Sequence, residues 1–245
     1  MTNPNISLPN ETKILRFLDE PGLLHTLGIS KDLGCEASLT PSFLLRSLEH
    51  YRKVESDKGD PREQKIVNSL GTDANLNPCL ISSWSCYSEN DLNNIETWKA
   101  FPSAVAAVES TVLDVQNIIN DITTNNPLVN FNGRFNHGRI HYYAPGDNHV
   151  NEIYKGPAIV FVKEKKFEKE QEYRFAVLFN AHQKFSVDSY SVKLSSNGRS
   201  YITKIYINTE KLLDIKRKLV YYQRKLSFVP NVISLLPING TVDMI

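Results

Sequence analysis

The stretch Glu170-Gln171-Glu172-Tyr173-Arg174 brings two carboxylates and a guanidinium together. In a strand, residues two apart share a face, so Glu170, Glu172 and Arg174 line one side while Gln171 and Tyr173 face the other. The chain then turns wholly apolar (Phe175, Ala176, Val177, Leu178, Phe179), which puts the charges where an exposed end enters a buried sheet. Two carboxylates and a guanidinium there can hold a ligand hydroxyl or stabilise a developing cation. They equally suit a solvated strand end carrying an ion pair, and spacing alone does not separate the two.

Other clusters carry less chemistry. Asp60-Pro61-Arg62-Glu63 follows Tyr51-Arg52 and Glu55, and an aspartate ahead of a proline is ordinary turn chemistry. In Ser82-Ser83-Trp84-Ser85, hydroxyls beside an aromatic ring suit a nucleotide, though they also suit a plain strand. His137 and His141 are four apart in what reads as turn and strand, not helix, so a shared metal is not expected. There is no GxGxxG, no Walker A loop and no GxSxG elbow. Lys211, Lys216, Arg217, Lys218, Arg224 and Lys225 make a late helix basic, either as a solvated face or as a phosphate-contacting surface.

The elements that must position these residues follow from apolar spacing. Residues 1–9 are polar and read as frayed; Asn10 then caps a helix with Ile14, Leu15, Phe17 and Leu18 as its stripe, ended by Pro21-Gly22. Thr40-Pro41 starts a helix with Phe43, Leu44, Ser47, Leu48, Tyr51 and Val54 on one face; the competing reading is a short strand from Phe43 to Arg46. Residues 55–65 and 71–78 read as loops, and Cys79 to Ser85 as a buried strand. From Asn90 to about Asp121 the pattern is helical, bent near Pro102, with Val105, Val108, Val112, Val115, Ile118 and Ile119 at three- and four-residue spacing. Segments 138–143, 157–162, 172–179, 185–194 and 200–208 read as strands, with 157–162 and 172–179 central because both are nearly continuous apolar runs. Thr209 caps a helix to about Leu226, and Phe228 to Ile238 is one more strand. Helices followed by a block of strands predict an α+β fold with a largely antiparallel central sheet and flanking helices.

Length and composition bound the rest. A chain of 245 residues with 41% hydrophobic and 22% charged residues can bury its own core, and we read residues 1–245 as a single domain. A net charge of +1 gives no overall nucleic-acid signature. The first thirty residues match neither a signal nor a transit peptide, and no apolar run approaches the roughly 20 residues that span a bilayer. Cys35, Cys79 and Cys86 are odd in number and form no close CxxC pair, which points to a reducing cytoplasm, and the lack of a spanning apolar run predicts no membrane partner.

Three segments in order, YRKVESDKGDPRE (51–63), ISSWSCYSENDLNNIETW (81–98) and KEKKFEKEQEYRFAV (163–177), with RIHYY (139–143) between, resemble a broad family of bacterial and phage domains of unknown function. Its pattern is a Y-R…E…D-P-x-E block, a Ser-bearing strand ahead of a Trp helix, and a closing E-x-E-x-R strand; the resemblance spans about residues 43 to 180. The order basic residue, Ser strand, E-x-E is also similar to the R-S-E layout of ADP-ribosyltransferases. That resemblance implies an ADP-ribosyltransferase-like fold with NAD as substrate. Glu172 would be the catalytic carboxylate, supported by Glu170 and Ser85, with Arg52 or Arg46 on the NAD phosphate. Tyr51, Trp84 and Arg174 would complete the NAD site, with Asp60 and Glu63 nearby. Ser82-Ser83-Trp84-Ser85 departs from the usual Ser-Thr-Ser, and the gap from Ser85 to Glu170 is long for the class.

The expectation is therefore an NAD-dependent transferase or NAD glycohydrolase of a toxin or of phage–host conflict, with a nucleic-acid or protein acceptor. One rival is a non-enzymatic nucleic-acid or protein-binding module in which Arg174 and the late basic helix contact phosphate. Another is a metal-dependent nuclease drawing on Asp60, Glu63, Glu170 and Glu172, which lacks an obvious lysine beside the acids. As one site, the 51–63 block, Ser85 and the 170–174 strand must converge.

Overall fold

Where the spacing of Ile14, Leu15, Phe17 and Leu18 predicts a helix, the chain forms a strand, β1 (Lys13–Leu18). The structure, a computed structural model, describes residues 7–28, 42–47, 79–125, 135–144, 160–178, 189–193, 201–208 and 233–236. β1 pairs along its whole length with β4 (Ala106–Thr111), from Lys13 opposite Thr111 to Leu18 opposite Ala106. Residues on both of its faces are buried, and periodicity loses its power to tell strand from helix when both faces are covered. Pro21-Gly22 starts a helix instead of ending one. In α1 (Glu20–Thr26), Asp19 is the N-cap and its carboxylate accepts the Gly22 N–H at 2.8 Å. Pro21 sits in the first turn, where its missing N–H forfeits no hydrogen bond.

The long helix expected from Asn90 to Asp121 is likewise divided. A 3-10 helix (Glu89–Asn93) and α2 (Ile95–Lys99) precede the turn at Pro102; β4 follows, and α3 (Val112–Asn125) begins directly after it. Val108 belongs to the strand, while Val112, Val115, Ile118 and Ile119 form the buried face of α3. Thr111 caps α3: its hydroxyl accepts the Asp114 N–H at 3.1 Å and donates to the Asp114 carboxylate at 2.8 Å. A valine spacing that crosses a strand–helix junction thus mimics one continuous helix.

The chain folds into two compact units, each assembled from separate stretches. The first comprises residues 1–9, 44–83 and 119–191, the second residues 10–43, 84–118 and 192–245. In the second unit, β10 (Lys204–Asn208) lies antiparallel to β4 and parallel to β11 (Ile233–Leu236), and Leu15 of β1 pairs antiparallel with Ser85 of β3 (Cys79–Ser85). Its core gathers Leu15, Tyr87, Leu92, Trp98, Ala107 and Tyr206, with Phe17 and Phe101 stacked at 3.9 Å beside it.

In the first unit, β2 (Ser42–Ser47) runs antiparallel to β3 with Arg46 opposite Ile81, so the strand alternative for 43–46 is the one realised. β8 (Glu172–Leu178) pairs with both β3 and β5 (Phe135–Arg139), which makes it the central strand expected from its apolar run. Tyr173, Phe175, Ala176 and Val177 are all fully buried, each large side chain contributing roughly 1.5–3 kcal/mol. The 157–162 segment is not a central strand where it is described. Val160 and Phe161 form a helical turn, and only Val162 enters β7 (Val162–Glu164), which pairs in parallel with β6 (His141–Tyr143) in a separate small sheet. At this turn the Val160 carbonyl accepts from the Arg174 guanidinium at 2.7 Å. β9 (Ser189–Lys193) and β10 fall within the strand segments expected late in the chain, whereas the helix expected at 209–226 lies outside the described residues. The fold class is α+β with a mostly antiparallel sheet.

Candidate functional site

β8 begins at Glu172, so Glu170 does not share its strand. Glu170 ends a 3-10 helix (Lys165–Glu170), and between the two Gln171 adopts φ 44 and ψ 47, a left-handed conformation uncommon for a residue with a side chain. That single reversal breaks the alternation on which the one-face reading depends.

A lysine restores the proximity. Lys163 on β7 places its Nζ 2.8 Å from Oε2 of Glu170 and 3.4 Å from Oε2 of Glu172. Arg174 grips Glu172 from the other side, donating from Nε at 2.5 Å and Nη2 at 3.1 Å, while its Nη1 reaches the Val160 carbonyl. Ser83 on β3 adds a side-chain hydrogen bond to Glu172, and the Tyr142 hydroxyl accepts the Glu172 backbone N–H at 2.8 Å. Glu172, Arg174 and Lys163 are 4%, 1% and 7% exposed, so of the alternatives that the spacing left open the solvated strand end is not realised, and the charges form a buried ion cluster. Glu170 keeps 22% of its side chain exposed and is the open edge of the cluster.

The two carboxylates respond oppositely. Burial alone would raise the pKa of Glu172, but the charges of Arg174 and Lys163 outweigh it and hold the value at about 2. Burial pushes Glu170 up to about 7, with Lys163 opposing the rise and the Glu172 charge adding to it. Tyr142 is driven well above the usual phenol range, first by burial and then by the Glu172 charge.

Of the other expected site residues, Arg46 lies on β2, half-buried. Trp84 and Ser85 belong to the second unit. Trp84 is 2% exposed, edge-on to Tyr201 at 6.4 Å and under the Arg16 guanidinium at 5.9 Å; the Ser85 hydroxyl accepts the Tyr87 N–H at 3.4 Å. The serine that meets Glu172 is Ser83, on the same face of β3 as Ser85. Tyr51, Arg52, Asp60 and Glu63 lie outside the described residues, as does the late basic segment. Sequence reasoning missed Lys163 and Tyr142, and it gave the serine role to Ser85 of the Ser82–Ser85 run where Ser83 makes the contact. Lys163 stands in the charged run KEKKFEKE, and nothing in its spacing to Glu170 or Glu172 marks it out.

Among the described residues, no group of three or more His, Cys, Asp and Glu side chains is placed to hold a metal ion. Lys163 does supply the lysine beside acids that a nuclease reading lacked. Yet two carboxylates, one ammonium and one guanidinium sum to no net charge, a poor lure for a divalent cation.

The second unit holds a different buried carboxylate. Glu109 on β4, 2% exposed, accepts from the Thr203 hydroxyl at 2.8 Å and the Tyr206 hydroxyl at 2.9 Å, and pairs with the exposed Lys13 at 3.3 Å. Glu89 pairs with Lys204 at 2.8 Å, and that bond draws the Glu89 carboxyl below its ordinary range.

No protein-family model, curated protein or solved structure matches this chain. No helix among the described residues is long and apolar enough to cross a membrane.

Proposed function

We propose that this protein is an NAD-consuming, ADP-ribosyltransferase-like enzyme in which Glu170 is the reacting carboxylate and Glu172 the fixed charge beside it. One observation carries the reading: two carboxylates share the Lys163 ammonium, Glu170 at 2.8 Å on the open edge and Glu172 at 3.4 Å in the buried interior, so that burial drives the Glu170 pKa up while Arg174 and Lys163 hold that of Glu172 down. Pairs driven apart in this way mark acid–base assignments. In cleavage of the NAD glycosidic bond, the electron pair of the bond from ribose C1′ leaves on the neutral nicotinamide nitrogen, and positive charge grows on the ribose. The acceptor atom forms the new bond to C1′ and loses its proton. Glu170, open to solvent and titrating near neutrality, takes that proton; Glu172, ionised throughout, supplies the opposing negative charge. The resemblance assigns these two glutamates the reverse roles, but Glu172 is enclosed by Arg174, Lys163 and Ser83. Water as acceptor makes the reaction a hydrolysis; a protein or nucleic-acid group makes it a transfer, in the toxin or phage–host setting that the resemblance implies.

The test is release of labelled nicotinamide from NAD, with and without bacterial extract, by wild type, Glu170→Gln and Glu172→Gln. Glu170→Gln should keep the wild-type melting temperature and lose about 10²-fold or more in rate. Wild-type protein that releases no nicotinamide under any of these conditions overturns the proposal.

A second reading is favoured by the completeness with which Arg174 and Glu172 satisfy each other. The guanidinium commits Nε and Nη2 to the carboxylate and Nη1 to a backbone carbonyl. In that reading the cluster is structural and the chain is a nucleic-acid or protein-binding module, but Arg174, buried and bonded to Glu172, is not the phosphate contact that the sequence suggested. Glu170→Gln then changes neither fold nor binding.

A further inference from the structure

We propose that Lys163 is the positioning residue of this centre, holding Glu170 and Glu172 side by side so that the charge on one governs the charge on the other. The proposal rests on the reading of Glu170 as the reacting group.

The small parallel sheet explains how the lysine arrives. Tyr142 on β6 and Lys163 on β7 are cross-strand partners in register, and both side chains reach the same end of β8. Tyr142 takes the backbone N–H of Glu172, while Lys163 takes the two carboxylates. Lys163 also lies 4.6 Å from the Phe167 ring, a cation–π contact beside its two carboxylate partners. Gln171 turns the backbone between the two glutamates, and the strand alone would not keep their carboxylates adjacent. The described charged groups acting on Glu170 are Lys163, Glu172 and Arg174, and Lys163 lies within direct hydrogen-bond distance of its carboxylate. Loss of the ammonium leaves Glu170 against the Glu172 charge without the counter-ion at 2.8 Å. The carboxyl then keeps its proton at neutral pH and cannot act as a base.

Carboxyl ¹³C and lysine ¹⁵Nζ NMR titrations test this directly on wild type, Lys163→Met and Lys163→Arg, with Glu170→Gln assigning the signal. In wild type the Lys163 Nζ resonance should move with the same midpoint as the Glu170 carboxyl. Lys163→Met should raise that midpoint by about one to three pH units, the usual effect of an adjacent opposite charge, and Lys163→Arg should largely restore it. A folded Lys163→Met with an unmoved Glu170 midpoint overturns the proposal. If Lys163→Met does not fold, an Nζ signal in wild type that ignores the Glu170 titration overturns it equally. These readouts are independent of turnover. Absence of nicotinamide release sinks the enzyme reading while leaving the coupling between Lys163 and Glu170 to stand or fall on its own midpoint.

Discussion

Glu172 in the first unit and Glu109 in the second are both strand glutamates with almost no exposure, yet they are held by different chemistry. Glu172 is matched by two buried cations, Arg174 and Lys163. Glu109 is matched mainly by the hydroxyls of Thr203 and Tyr206, and its lysine partner, Lys13, is 60% exposed. The difference shows in the neighbours. The cation-rich cluster accommodates a second carboxylate, Glu170, whose proton affinity climbs to about 7. The hydroxyl-rich cluster drives the Tyr206 phenol well above its usual range, by burial first and then by its bond to Glu109. A site that can exchange a proton near neutrality therefore arises in the first arrangement, where charges compete. In the second, the phenol donor is locked in its protonated form.

The comparison can be broken most severely at Arg174. Arg174→Met strands the buried Glu172 charge and should cost about 3–5 kcal/mol of unfolding free energy, read from urea denaturation; the double change Glu172→Leu with Arg174→Met should recover much of it, because an apolar pair needs no desolvated ions. A single-variant loss below 1 kcal/mol would mean that the cluster is hydrated.

Glu170 supplies the next test. Its folded value of about 7 lies above its ordinary 4.5, so it favours the folded state fully below pH 4.5, and that contribution disappears as pH rises through about 7. Glu172 has the opposite sign: at about 2, its contribution is present above pH 4.5 and is lost as pH falls towards 2. Wild type should thus lose stability relative to Glu170→Gln as pH rises from 4.5 to 7, measured by urea melts at each pH. Parallel curves for the two proteins would remove Glu170 as a neutral-range proton site.

Smaller effects are expected in the second unit. Glu109→Gln keeps one acceptor oxygen but turns an amide NH₂ towards either a hydroxyl or Lys13, and should cost about 1–3 kcal/mol in thermal or urea unfolding. Lys13→Ala removes only an exposed partner and should cost about 0–1 kcal/mol. If Lys13→Ala proved as damaging as Glu109→Gln, the hydroxyls would not be the principal partners and the contrast between the two clusters would collapse.

Much of the strand content could be read from residues whose neighbours agree with them. Cys79 to Ser85 and Glu172 to Leu178 combine apolar runs with β-favouring side chains, and both are strands. Ile14 to Leu18 and Val105 to Val108 misled because their spacing fits a helix as well as a doubly covered strand, and only pairing with a distant partner decides between them. The candidate site was half visible. Glu170, Glu172 and Arg174 announced themselves by charge at the mouth of an apolar strand, whereas their burial and their true partners did not.

What the sequence determined by itself is therefore local: the α+β class with a mostly antiparallel sheet, the central place of β8, and the concentration of charge at its start. The tertiary structure alone decided that a left-handed Gln171 takes Glu170 off the strand, and that Lys163 returns it to Glu172 through a parallel pairing with Tyr142. It also decided that the serine in contact is Ser83 and that one carboxylate is sealed while the other meets solvent. The physical reason is that proton affinity and ion pairing depend on distances of a few ångströms in a low-dielectric interior, and such distances are set by chain crossings between residues that carry no mutual signal in their order.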